Sequence, residues 1–266
     1  MPEPISRPSL AVDVGNNRVK VGSFAGPAGS GFPEPKETWT LPGSAPSLDQ
    51  VVADCANSDE PLHWWIGSVN RPTTSGLIDW LGAHRPDDPI TLLASGDLPL
   101  EVDVPRPDMV GIDRLLAAVA ANRIREADRP AVVVDLGTAV TVDLISADGV
   151  FQGGAILPGI EMSSRALHDY TDLLPRIEMS ELIEPPEPLG KATEPAMRSG
   201  LYWGAVGAVR ELTTRMIADA SVEPEILVTG GAGPVVAKLL SESAHHVPHL
   251  TLAGIALTAG LASGGQ

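Results

Sequence analysis

The pattern Asp-x-Gly-[Asn/Thr] occurs twice in this chain, each time between two apolar runs, and the repetition restricts the fold more than any other feature. The first copy, Asp13-Val14-Gly15-Asn16, follows Leu10-Ala11-Val12 and enters a return run from Arg18 to Phe24. The second, Asp135-Leu136-Gly137-Thr138, follows Val132-Val133-Val134 and enters Val140 to Ile145. Short β-branched and aliphatic runs of this kind read as buried strands. Each glycine falls where the chain turns back. A missing Cβ there lets a ligand approach the backbone, and an amide there can face an anionic oxygen. The two copies lie 122 positions apart in a chain of 266 residues, which predicts two related halves of ordinary domain size. A single copy closes many strand ends by bonding backbone amides. Two in equivalent settings suit a shared nucleotide phosphate chain and its cation.

The rest of the chain falls into place around these turns. Asp148-Gly149 between apolar runs predicts a hairpin whose last run ends at Leu157. Leu62 to Val69 reads as a strand, Thr73 to His84 as a helix with Leu77, Ile78 and Leu81 on one face, and Ile90 to Leu93 as a strand. That β-α-β order implies parallel strands with covering helices. A proline-rich connection, 99–107, leads to Gly111-Ile112-Asp113-Arg114 and a helix to about Ala127. Its apolar positions Ile112, Leu115, Leu116, Val119 and Ala120 share one face, which puts Asp113 and Arg114 in the first turn, where backbone N–H groups are free. Pro158 to Asp169 reads as a further helix. Thr193 to Ala218 is the longest, and Gly200 to Val209 within it is apolar nearly all round. A helix of that kind is buried on more than one side, in a core or a subunit interface, and predicts a homodimer. Ile226 to Thr229 is a strand entering Gly230-Gly231-Ala232-Gly233, a motif that serves equally as a nucleotide contact or a tight strand-to-helix turn.

Composition removes several function classes. Only 4% of residues are aromatic, so the core is aliphatic. The net charge of −16, with no run of Lys or Arg, disfavours nucleic-acid binding. One cysteine, Cys55, excludes an internal disulfide and suits a reducing compartment. No apolar run reaches the roughly 18 residues of a membrane span, and the N-terminus lacks a signal-peptide form, so a cytoplasmic location is expected. There is no G-x-x-x-x-G-K-[ST] loop and no G-x-S-x-G nucleophile. His245, His246 and His249 stand without cysteines and read as structural rather than metal-binding.

Taken in order, DVGNNRVK, GIDR, VVDLGTAVTVD, GGAILPG, LGKATEPAMRSG and VTGGAG resemble the type III pantothenate kinases, of the acetate and sugar kinase, heat-shock 70 and actin superfamily. The resemblance implies an α/β fold of two duplicated ribonuclease H-like (actin-like ATPase) domains, 9–112 and 113–266, with mixed sheets flanked by helices. It implies ATP-dependent phosphorylation of the pantothenate hydroxyl to 4'-phosphopantothenate, the first step of coenzyme A biosynthesis. ATP would come with Mg²⁺ and a monovalent cation, potassium or ammonium. By the same resemblance, Asp13, Val14, Gly15, Asn16, Asn17, Arg18, Val19 and Lys20 form the first phosphate loop, Thr138 contacts ATP, and Asp135 holds the monovalent cation. Gly111, Ile112 and Arg114 bind pantothenate, Thr193 touches it from across the dimer interface, and Asp113 accepts the proton. Asn17 replaces the usual Thr or Ser of the loop, and Val104 stands near the position of a Tyr that contacts pantothenate. Two other readings stay open on the residues: a non-catalytic accessory regulator on the same scaffold, and a phosphotransferase with another acceptor. Asp113 and Thr193 also suit plain helix N-caps, and Lys20 an exposed strand position.

Overall fold

The computed structural model describes residues 9–24, 31–44, 46–55, 61–177, 184–218, 222–231, 233–241 and 244–263. Residues 1–8, 25–30, 45, 56–60, 178–183, 219–221, 232, 242–243 and 264–266 lie outside them. In chain order the first elements are β1 (Ser9–Val14), β2 (Arg18–Phe24), β3 (Glu37–Pro42), α1 (Asp49–Cys55), β4 (His63–Ser68), α2 (Arg71–His84), β5 (Ile90–Leu92) and α3 (Ile112–Ile124). Then come β6 (Ala131–Leu136), β7 (Ala139–Ile145), β8 (Phe151–Pro158), α4 (Ile160–Asp169), α5 (Thr193–Met216), β9 (Glu225–Gly230), α6 (Gly233–Leu240), β10 (Ala244–His246) and α7 (Leu250–Ser263).

Two five-stranded mixed sheets result, ordered β3-β2-β1-β4-β5 and β10-β9-β6-β7-β8. In each, the strand before the Asp-x-Gly turn is central, pairs antiparallel with its return strand, and pairs parallel with the strand on its other side. This is the duplication that the two motifs predict. Internal contacts divide the chain into one unit drawn from Met1–Glu101, Pro105–Ile124 and Leu250–Gln266, and a second from Val102–Val104 and Arg125–His249. The expectation from sequence cuts the chain once, after residue 112. Contacts instead group α3 and α7 with the first sheet, because α3 packs on α7 and both reach β4.

In unit 1 the apolar face made by Val12, Val14, Val19, Val21, Trp64 and Ile66 is covered by Val51 of α1 and by Leu77 and Leu81 of α2. Ile78 does not join them; it is 37% exposed, while Thr73 and Thr74 turn inward. Inward threonines are tolerated because Thr73 Oγ1 donates to Gly43 O at 2.8 Å and Thr74 Oγ1 to Asn70 O at 2.9 Å. Buried Asp88 is likewise satisfied, accepting from Leu62 N, Trp64 Nε1 and Arg85.

In unit 2, Val132, Val134, Val140 and Val142 meet Tyr202, Val206 and Val209 of α5 and Val236 of α6. The helix α5 buries one side only within its unit: Gly200, Gly204 and Gly207 are exposed. Tyr202 is 1% exposed, and its hydroxyl has no hydrogen-bond partner among the described residues. A buried hydroxyl in that state costs about 1–3 kcal/mol. Tyr202→Phe keeps the ring and its edge contact with Trp203, so thermal melting is expected to show equal or higher stability, by up to about 1 kcal/mol. A clear fall in melting temperature would mean that the hydroxyl is bonded.

Candidate active site

Parallel pairing of β1 with β4 brings Val14 opposite Ser68, so both strands end at the same edge of the first sheet. The first turn closes with Gly15 N donating to Arg18 O at 3.0 Å, which leaves Asn16, Asn17 and Arg18 exposed. Asp13 and Lys20 face each other across β1 and β2 and are half-buried, so Lys20 is not a plainly exposed strand residue. Two neighbours brace the turn. Gly43 N donates to Asn17 O at 3.0 Å, and Asn70 Nδ2 donates to Asn16 O at 3.4 Å. Asn70 is also the N-cap of α2, its Oδ1 accepting from Thr73 N at 3.2 Å. One side chain therefore ties the start of α2 to the turn, a link that the sequence does not signal.

The Asp113 segment reaches the same edge. Val69 N donates to Val14 O at 3.1 Å, and Val69 Cγ1 lies 3.7 Å from where a Cβ on Gly111 would stand. That same Cβ would fall 2.6 Å from Asp113 Oδ1, so glycine at 111 makes room for the carboxylate. Asp113 is the second residue of α3, not its cap, and Oδ1 accepts the Arg114 backbone N–H at 2.9 Å. Burial pushes the carboxyl above its ordinary value; the Arg114 amide and guanidinium oppose that rise without cancelling it. A carboxylate that is desolvated and held by one oxygen is suited to accepting a proton on the other.

In unit 2 the parallel strands β6 and β9 end together, Leu136 opposite Gly230. Asp135 is the last residue but one of β6, and the turn after the strand bonds through Gly137 N to Ala139 O at 3.1 Å. Gly230 sits opposite Leu136 with φ +91°, and a Cβ there would lie 2.6 Å from both Asp135 Oδ1 and the Leu136 backbone. Gly159 N donates to Thr138 O at 3.0 Å, and a Cβ on Gly159 would strike the carbonyl oxygens of Thr138 and Gly137. Two glycines thus fit the Asp135–Thr138 turn closely, and neither is part of it. Pro158 ends β8 instead of opening α4, whose cap is Gly159. The His246 ring packs on Gly233 at the start of α6, and burial lowers its pKa. Among the described residues no three His, Cys, Asp or Glu side chains gather as a metal site.

Thr193 is exposed as the first residue of α5; the cap is Ala192, which bonds nothing through its side chain, so the N-cap reading of Thr193 is corrected. Val104 lies against the edge strand β8: Asp103 N donates to Phe151 O at 2.9 Å, and Val104 Cγ1 stands 3.5 Å from the Cβ position of Gly153.

The family profile described as type III pantothenate kinase matches residues 9–215. A type III pantothenate kinase of Acidiphilium cryptum is 39% identical over 181 residues, 68% of this chain and 65% of that protein. The match thus spans just under two thirds of the relative's length. One from Rubrobacter xylanophilus is 35% identical, over 92% of this chain and 95% of that protein. A glucokinase structure from an Antarctic psychrotroph has a similar fold, with TM-score 0.50 and 10% identity over 94% of this chain and 98% of its own.

Proposed function

The chain belongs to the type III pantothenate kinase family, and on that premise we propose that it transfers the γ-phosphoryl group of ATP to the hydroxyl of pantothenate, giving 4'-phosphopantothenate for coenzyme A biosynthesis. The observation that carries the reading on this chain's own residues is the Asp113 carboxylate, desolvated at the tip of α3 in space left by Gly111. Asp113 accepts the hydroxyl proton as the new P–O bond forms. Arg114, in the same first turn, suits the pantothenate carboxylate, which a guanidinium grips with two N–H groups. The exposed Asn16, Asn17 and Arg18 of the first turn offer donors to phosphate oxygens, and half-buried Asp13 would serve the metal that accompanies them.

A carboxylate beside phosphates needs an intervening cation. Mg²⁺ carried by ATP neutralises charge on the transferring oxygens. We assign a monovalent cation to Asp135. The donor set supports it: one carboxylate and the nearby backbone carbonyl of Leu136 suit a hard, weakly held ion, with no cluster of acidic or soft ligands for a tighter one among the described residues. Thr138, in the same turn, is the ATP contact of unit 2. A homodimer, with Thr193 contributing to pantothenate binding, is part of the proposal; the bare glycine face of α5 supports it, since exposed Gly200, Gly204 and Gly207 permit close approach of another helix. A cytoplasmic location follows from the need for ATP.

A coupled ADP-release assay tests the reading. Release is expected to depend on pantothenate and to be faster in potassium than in sodium. ADP release indifferent to pantothenate would point to another acceptor. No release from folded protein would point to the regulator. Equal rates in the two salts would remove the cation from Asp135.

A further inference from the structure

We propose that Gly254, with Gly67 on the other side, is a positioning residue for Asp113, seating α3 against α7 backbone to backbone. The inference rests on Asp113 as proton acceptor. A Cβ on Gly254 would fall on the Leu116 carbonyl oxygen, 2.6 Å from the carbonyl carbon and 3.1 Å from Cα. On the other side, a Cβ on Gly67 of β4 would lie 2.6 Å from Leu116 Cδ1 and 3.4 Å from Ile255 Cδ1. Leu116 is fully buried between them. Gly254 has an ordinary helical backbone, where alanine is the better helix former, so conformational freedom does not account for it. Space does.

Leu116 follows Asp113 by three residues, about 4.5 Å along the helix axis. The seat therefore sets the height and rotation of the turn that carries the carboxylate. The Leu116 carbonyl oxygen stands 2.0 Å from the Cβ position and ordinary Cβ contacts begin near 3.4 Å, so a methyl group at 254 would displace the Leu116 backbone by about 1 Å or more. Reacting groups need to be held within about 0.5 Å, and a misplacement of about 1 Å can cost 10²-fold in rate.

The test compares Gly254→Ala with Leu81→Ala in the full chain. Leu81 is fully buried in a cluster that includes no residue of α3 or α7. Both variants are expected to melt at lower temperature. At a temperature where both are folded, Gly254→Ala is expected to lose about 10²-fold in kcat with a smaller change in KM for pantothenate, and Leu81→Ala to keep kcat. The NMR titration of the Asp113 carboxyl carbon should also move in Gly254→Ala and not in Leu81→Ala. Wild-type kcat in folded Gly254→Ala, or an equal loss in Leu81→Ala, overturns the proposal. Should Gly254→Ala not fold, Gly67→Ala takes its place under the same criteria, since its methyl meets side-chain atoms of Leu116 and Ile255 and no backbone. Should Asp113→Asn retain turnover, the reading of Asp113 fails, and the carboxyl titration alone decides whether Gly254 positions that residue.

Discussion

Asp113→Asn is expected to lower kcat by about 10²–10⁴-fold, the usual worth of a positioned general base, with ATP affinity nearly unchanged. The amide keeps the size of the carboxylate and can still accept the Arg114 N–H through its oxygen, so α3 begins as before. What it cannot do is take a proton. ATP binding is spared because the turns assigned to the nucleotide, at Asp13–Lys20 and Asp135–Thr138, are built from other residues. Stability should move the other way. Burial raises the folded-state pKa of Asp113 above its unfolded value, so this group favours the fold most at low pH, and that contribution is lost as pH rises through the folded value. Above the folded value the wild-type protein bears a desolvated charge that Asn removes, and there the variant should melt no lower than the parent. On the proposed mechanism activity needs the ionised form. The acid limb of kcat/KM for the wild type should therefore lie above the ordinary aspartate value of about 3.9. Steady-state kinetics, ATP calorimetry and melting curves check all three. Full turnover in Asp113→Asn would remove this residue from the chemistry.

Much of this site can be read from the sequence because its parts stand at the ends of strongly patterned elements. Asp13 and Asp135 each follow an aliphatic run and precede another, and α3 shows a helical apolar stripe from Ile112 that fixes Asp113 in its first turn. The elements missed lack such patterns. β10 has three residues, two of them histidine, and is a strand only because β9 pairs with it. The inward turn of Thr73 and Thr74 depends on carbonyl partners, Gly43 and Asn70, that apolar periodicity does not register. The α5 stretch reads as apolar all round because glycine counts as apolar, yet its glycines line the exposed side. Packing glycines are the least visible of all. Gly159, Gly230 and Gly254 look like ordinary turn or small residues, and only their neighbours in space show what a Cβ would displace. Grouping α7 with β1 and α3 is equally a matter of contacts between distant stretches of chain.

Gly230→Ala should disable the Asp135–Thr138 turn of unit 2. At φ +91° an alanine is strained by about 1–3 kcal/mol even in open space. Space is also lacking, because its Cβ would stand 2.6 Å from Asp135 Oδ1 and from the carbonyl carbon and oxygen of Leu136. Relief by side-chain rotation is available only to Asp135. Leu136 contributes backbone, so the paired ends of β6 and β9 must separate, and Asp135 must turn away from the position in which it would hold a cation. Both movements act on the turn assigned to ATP, and a shift near 1 Å carries a cost of about 10² in rate. We expect kcat/KM for ATP to fall by at least about 10²-fold, potassium stimulation to disappear, and KM for pantothenate to change little, because Gly111 to Arg114 belong to the other unit. Gly231→Ala, with nothing within 4 Å of its Cβ position, provides the matched control and should behave as wild type. Equal, large losses in both variants would mean that the loop tolerates no side chain for some reason other than its fit to Asp135. Wild-type kinetics in Gly230→Ala would show that β6 and β9 yield without consequence, and the cation and nucleotide assignments at Asp135 and Thr138 would have to be abandoned.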